Sequence, residues 1–295
     1  MNDALFLALS EDGLLRARAA RTTALVDEAL RRHRPGPLGA LALARALSVA
    51  AVFPVEWDKN DRVSLQWSGG GPLGTVLAEL RSPGDLRAYL TRPEAEPRGT
   101  KTGKARGYGL GLLPGGFLSV LRQAPRGGHV QGQVPLLNGE VDEDLEVYFE
   151  ASEQVPTRVR ALIDLDDDGA VRAAGAVLVQ RMPEAEASDL VPGRLLEGLS
   201  PHDAPSAWLE AAFGRPFRVL EERPLVHRCP CSRERVEAGL ALLGEDELID
   251  MMVKDQGAQV TCQFCAEEYR FSATDLAAIL DLRLASSSSK GQGEA

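Results

Sequence analysis

The chain has 295 residues, 44% of them hydrophobic and 26% charged, enough to bury a substantial core in two or three units. Its 33 basic and 43 acidic side chains give a net charge of -10, a balance that repels phosphate backbones and anionic lipid, so nucleic acid and membranes are not the expected partners. The longest uncharged apolar runs, such as Ala46 to Val55, fall far short of the roughly 20 residues of a membrane helix. Met1 to Phe6 lacks the basic region of a secretory leader, so a cytoplasmic address is expected.

In chain order, Leu5 to Leu9 and Leu14 to Ala19 flank a Glu11-Asp12-Gly13 turn and predict a hairpin. Thr23 to Arg32 repeats apolar residues at helical spacing and stops before Pro35, and a second, Ala/Leu-rich helix is expected from Leu38 to Val52. Val63 to Trp67 alternates strictly and leads into Gly69-Gly70-Gly71. Thr75 to Leu80 and Leu86 to Leu90, around Pro83-Gly84, read as further strands. Tyr108 to Leu113, Phe117 to Arg122 and His129 to Val134 continue what looks like one meandering sheet. A helix follows over Asp142 to Ser152, then a closing hairpin of Thr157 to Leu165 and Ala173 to Val179. Together these elements predict an α+β fold in which residues 1–182 form an N-terminal mixed α/β domain on a large sheet.

The texture then changes. Six of the eighteen prolines fall between Pro183 and Pro224, which rules out a long helix. Between them lie short amphipathic pieces, one carrying Leu195, Leu196 and Leu199, another Trp208, Leu209, Ala212 and Phe213. Helices this short hold only by laying their apolar faces on something else, so residues 183–226 are read as a packed, metastable helical linker. The Ser/Gly-rich residues 285–295 are expected to be a disordered tail.

Two motifs match known fingerprints by letter only. Gly69-x-Gly71-x-x-Gly74 has Pro72 where a backbone N–H is wanted and no βαβ context, so it reads as a glycine-rich turn. Asp164-x-Asp166-x-Asp168-Gly169 opens like a calcium loop but has Gly175 at the twelfth position and strands on both sides, so it reads as a polar hairpin turn. His33, His129, His202 and His227 are too scattered for a catalytic triad, and no activated nucleophile stands out. No enzymatic activity is expected.

All four cysteines, Cys229, Cys231, Cys262 and Cys265, lie in the last quarter. In a reducing compartment, paired close cysteines read as a metal site or a redox pair, and two thiolate pairs can close a tetrahedral all-sulfur site around Zn(II), one per chain. Ser232 is placed to cap a helix over Arg233 to Leu243, with Gly244 as its C-cap and a second helix from Glu245 to Val253. Ala258 to Thr261 and Tyr269 to Phe271 predict a hairpin whose turn is the Cys262 to Cys265 knuckle. Ser272-x-x-Asp275 opens a last helix to about Leu284. Residues 227–284 are thus a small zinc-binding domain, in which Arg228, Arg233 and Arg235 are expected to favour deprotonated sulfur. Three uses of such a site stay open: a redox switch, a static zinc ribbon, and a dithiol oxidoreductase.

Cys229-Pro230-Cys231-Ser232-Arg233-Glu234-Arg235 with Cys262-Gln263-Phe264-Cys265 resembles the zinc centre of the thirty-three-kilodalton heat-shock family of redox-regulated bacterial chaperones. The likeness extends over nearly the whole chain, through Gly71-Pro72-Leu73-Gly74, Tyr148 to Thr157 and Gly244 to Leu248. The resemblance implies an ATP-independent holdase for unfolding client proteins, inactive while reduced and zinc-bound. On oxidation it implies disulfides Cys262–Cys265, the first sensor, and Cys229–Cys231, with zinc release, loosening of the linker and formation of a homodimer. Pro230 varies within the expected pattern, and it lacks an N–H that would otherwise support a sulfur.

Overall fold

The computed structural model of the chain describes residues 2–55, 61–96, 115–123, 128–189, 196 and 198–290. They fall into two units, Met1–Arg228 and Cys229–Ala295. The strand expected over Tyr108 to Leu113 and Leu195 of the linker lie outside the described residues.

The first unit contains two sheets where the sequence suggested one meander. Strands β1 (Ala4–Ser10) and β2 (Leu15–Arg21) form the expected hairpin, followed by α1 (Thr23–His33) and α2 (Pro37–Ala51). Strands β3 (Arg62–Gly69), β4 (Thr75–Arg81), β5 (Asp85–Leu90), β6 (Gly116–Gln123) and β7 (His129–Pro135) are five of the six strands of the second sheet. The chain then forms α3 (Val141–Tyr148), running into a wider π turn at Phe149–Glu153, and returns through β8 (Thr157–Leu165) and β9 (Val171–Arg181) to the first sheet. The meander breaks because β8 and β9 join β2 and leave β7 as an edge.

Helix α2 is apolar on nearly every side, from Ala40 to Ala51, as a helix buried all round must be. It packs against β4 and β5 of one sheet and β8 and β9 of the other, and its alanines let both sheets approach. The one cation inside it, Arg45, is buried and paired with Glu140 and Asp142, which ties the start of α3 to α2. Both motifs set aside as turns are turns. Gly69 N–H donates to the Gly74 carbonyl at 2.9 Å between β3 and β4, and the Asp166 carboxylate accepts the N–H groups of Asp168 and Ala170 between β8 and β9.

Strand alternation gives the five-stranded sheet two apolar faces. Leu5, Ala20, Ala174, Ala176 and Leu178 face the central helices. Ala8, Leu15, Ala17, Ala19, Leu162, Val177 and Val179 face the other way and are covered by the connector: Leu196 and helix α4 (Pro205–Phe213) with Trp208, Leu209, Ala212 and Phe213. Pro205 occupies the first turn of α4, and Gly214 ends it in the left-handed region, with its N–H on the Glu210 carbonyl at 2.9 Å. Trp208 is fully buried; its indole N–H donates to the Ser200 carbonyl at 2.9 Å. It lies on Gly175, where a Cβ would come within 2.4 Å of the ring.

The connector is not helical throughout. Its last part is β10 (Phe217–Pro224), which pairs antiparallel with β1, and the two-residue β11 (Val226–His227), which pairs parallel with β5. Where it crosses the β4–β5 turn, Gly84 has φ +139, and a Cβ there would stand 2.3 Å from the Pro224 carbonyl oxygen.

The second unit holds α5 (Arg233–Leu240), α6 (Glu245–Val253), the hairpin β12 (Gly257–Thr261) and β13 (Glu268–Ser272), and α7 (Ala273–Lys290) around Leu240, Leu248, Phe271, Leu276 and Ile279. Gly244 is not a C-cap. Its φ of -61 is not left-handed, and it starts α6, with its N–H on the Glu247 carboxylate at 3.0 Å. Helix α7 runs past Leu284 to Lys290, so 285–290 of the expected tail are helical, and 291–295 lie outside the described residues. Among the described residues no helix is long and apolar enough to cross a membrane.

Trp208→Ala is expected to cost about 3–5 kcal/mol, because it empties a fully buried site and removes one of the two donors to the Ser200 carbonyl, leaving only the Asp203 N–H at 3.1 Å. Urea denaturation of the reduced protein checks the magnitude. Hydrogen exchange should show the loss centred on the connector, with α2 still protected.

Candidate metal centre

Two local structures bring the four cysteines together. Cys229 and Cys231 lie between β11 and α5, where Ser232 caps α5 by accepting the Arg235 N–H at 3.3 Å and the Arg235 guanidinium holds the Pro230 carbonyl at 2.7 Å. Cys262 and Cys265 form the turn of the β12–β13 hairpin. The Cys262 N–H donates to the Glu267 carbonyl at 2.9 Å and the Ala266 N–H to the Cys262 carbonyl at 2.8 Å, with Ala266 in the left-handed region at φ 55. That closed turn aims both sulfurs to one side.

All four Sγ atoms lie within 4.8 Å of one another and none is in a disulfide. The close contacts run between the pairs: Cys231 to Cys265 at 3.2 Å and Cys229 to Cys262 at 3.7 Å. A zinc–sulfur bond of about 2.3 Å implies tetrahedral sulfur–sulfur edges of about 3.8 Å, so the cluster has the size of a four-thiolate zinc site. Burial pushes the Cys262 thiol above its usual range, and the neighbouring Cys229 adds to that. The backbone N–H groups of Phe264 and Cys265, which donate to its sulfur, oppose it. Burial likewise raises Cys265. Without a cation these sulfurs keep their protons; a soft divalent cation reverses the balance, because it binds only the thiolate. The donor set therefore fits zinc.

The hydrogen bonds and ion pairs of the three arginines go to groups other than sulfur. Arg228 pairs with Asp85 at 3.3 Å, and Arg235 serves Pro230. Arg233 donates to the Arg270 carbonyl at 2.8 Å, pairs with Glu237 and Asp275, and stacks 4.3 Å over Phe271. It braces the module. The side-chain donor to sulfur is one the sequence reading passed over: the Tyr269 hydroxyl, 3.1 Å from Cys231 Sγ, a bond that pushes the phenol above its usual range. Its position on β13, four residues after Cys265, was the available signal.

One zinc per chain is expected in the reduced protein, lost on Cys265→Ser together with the fold of residues 229–290. Tyr269→Phe should keep the zinc and speed its loss to a chelator a few-fold, the effect of one hydrogen bond of about 1 kcal/mol. Metal analysis and chelator competition read both.

Known proteins resemble this one along nearly the whole chain. The family described as Hsp33 protein matches residues 3–272. The 33 kDa chaperonin of Geobacillus sp. (strain WCH70) is 35% identical over 292 residues, 94% of this chain and 96% of that protein. That of Bacillus cereus (strain G9842) is 34% identical over 294 residues, 95% and 99% of the two chains. The solved structure of the 33 kDa chaperonin, or heat shock protein 33 homolog, of Thermotoga maritima superposes with a TM-score of 0.86 at 28% identity, covering 97% of this chain and all of that one. With the same fold and the family pattern running from β1 through the hairpin that carries the second cysteine pair, the chain belongs to the Hsp33 family of chaperones.

Proposed function

We propose that this chaperone is an ATP-independent holdase switched on by oxidation, with residues 183–226 as the releasable linker and 227–284 as the sensor. It acts in the cytoplasm. The observation that carries this reading is the connector itself: an apolar face of Trp208, Leu209 and Phe213, buried on a sheet, in a segment that runs within a few residues into a cluster of four thiols. Its relatives are named 33 kDa chaperonins.

In the reduced protein Cys229, Cys231, Cys262 and Cys265 hold zinc, which when bound cross-links the two halves of the small module. Oxidation by peroxide joins Cys262 to Cys265 and then Cys229 to Cys231. Each bond forms as two thiols give up two protons and two electrons, and each peroxide molecule is reduced to two waters. Sulfur in a disulfide no longer donates to a cation, so the module loses its cross-link and unfolds. The connector, whose nine-residue helix is marginal alone, then leaves the sheet. Client proteins meet two apolar surfaces at once, the connector's and the sheet face of Ala8, Leu15, Ala17, Val177 and Val179. Each large side chain uncovered offers about 1.5–3 kcal/mol of burial to a client. The oxidised chains pair as homodimers.

Two features weigh against the other readings. Cys262 and Cys265 sit in a hairpin turn instead of at a helix N-terminus, where a dithiol oxidoreductase has its motif. Residues 229–284 carry mainly acidic side chains, unsuited to a nucleic-acid-binding ribbon.

Oxidised protein should suppress aggregation of a chemically unfolded client without nucleotide, and reduced zinc-bound protein should not; light scattering reads the difference. Mass spectrometry during graded peroxide treatment should show the Cys262–Cys265 bond no later than Cys229–Cys231. Equal protection by both redox forms would reduce the module to a permanent staple.

A further inference from the structure

The connector ends in a strand that fills a sheet edge. In the order β10-β1-β2-β9-β8, β10 is outermost, and every backbone bond it makes to the sheet goes to β1. Two of the bonding pairs at the ends fix the pattern. The Leu225 N–H donates to the Asp3 carbonyl at 3.1 Å, and the Glu11 N–H donates to the Pro216 carbonyl at 3.0 Å. Backbone groups alternate along a strand, so those of Leu5, Leu7 and Leu9 also face β10, and those of Phe6 and Ala8 face β2.

The side chains of β10 fit this edge poorly. Opposite Leu9, Leu7 and Leu5 stand Arg218, Glu221 and Arg223. The register shifts between Leu7 and Ala8, where Leu220 is skipped, and Val219 and Leu220 are 50% and 57% exposed. Cross-strand pairs are the unit of sheet stability, and a charge opposite a leucine contributes little. Beyond Phe217, which stacks on Phe213 with ring centroids 5.0 Å apart, β10 is held mainly by its backbone. β1, by contrast, is anchored on its other side by β2 and by Leu5, fully buried in the core. Release of the connector therefore leaves an intact sheet with one open row of donors and acceptors, beside the apolar face that α4 had covered.

We propose that this β1 edge is a client-binding site, and that it captures extended segments of unfolding proteins with apolar side chains at alternate positions, added as a strand in the place of β10. The inference rests on the reading that oxidation frees the connector. Any unfolded chain can supply the backbone bonds, and alternation selects segments whose apolar residues meet Phe6 and Ala8. β10 is the intramolecular placeholder: near enough to occupy the edge in the reduced protein, and too poorly matched to win it back from such a segment.

Residue-resolved hydrogen exchange on the full-length protein tests this, in the reduced form, the oxidised form, and the oxidised form with a urea-unfolded, cysteine-free client. Protection of the Leu5, Leu7 and Leu9 amides should fall at least tenfold on oxidation and return on adding client. The Phe6 and Ala8 amides should stay protected throughout. If oxidised protein suppresses aggregation while the odd-numbered amides stay protected, or stay open with client bound, the edge is not the site and the holdase reading stands. Protection regained without client, in proportion to protein concentration, would give the edge to a second copy and overturn the proposal. No suppression of aggregation by the oxidised form would remove the holdase reading and this inference together.

Discussion

A sheet with apolar residues on both faces has to be covered twice, and in this protein the two covers differ in kind. On the inner face of the five-stranded sheet lies α2, apolar on nearly every side and flanked by a second sheet that holds it in place. On the outer face lies a connector broken by prolines, with one nine-residue helix and an edge strand. On the proposed switch the outer cover is the one that leaves, exposing what lay beneath it, while the inner one stays in the core. Gly175 under Trp208 and Gly84 against the Pro224 carbonyl show how closely the domain surface is shaped to that cover. At both points the body of the protein gives up a side chain so that the connector can lie flat.

The small unit meets a different constraint. Leu240, Leu248, Phe271, Leu276 and Ile279 make a limited core for a module of this size, and such modules need a staple. Four thiols within 4.8 Å supply one only when a cation takes the place of the protons that burial favours on Cys262 and Cys265. A structural zinc site contributes on the order of 10–16 kcal/mol to folding, more than a core of five residues can spare. On the proposed switch, the fold of the module and the redox state of its sulfur are therefore a single variable. Because the connector reaches Cys229 immediately after β11, that variable sits at the end of the one cover that can come away.

Elements with strong periodicity were legible in the sequence. The β1–β2 and β8–β9 hairpins, α1, α2 and the knuckle between β12 and β13 appear where alternation, helical spacing and turn residues put them. The division into two sheets was not legible, since strand pairing between β2 and β9 is set by tertiary contacts and not by neighbours in the chain. β10 was missed for a sharper reason: Phe217-Arg218-Val219-Leu220-Glu221-Glu222-Arg223-Pro224 has no alternation, because after Phe217 its position at the edge is held by backbone more than by side-chain burial. Gly244 was misread because glycine starts helices as well as ending them, and only φ decides. At the metal centre the four cysteines declared themselves by spacing, while Tyr269 did not; a hydroxyl that serves a sulfur looks, in sequence, like any aromatic residue of a strand.

On the proposed release of the connector, the composition of β10 bears on what happens to the molecule after it opens. A freed strand of alternating valines and leucines would stack with its copies in other chains, and a protein that opens under stress would then seed the precipitate it is meant to prevent. Arg218, Glu221, Glu222, Arg223 and Pro224 leave no window of five apolar residues, and the proline cannot join a cross-β ladder. The charges that make β10 a poor neighbour for Leu5 and Leu7 also keep it soluble when it is loose, so the same residues that let the strand go make its departure harmless.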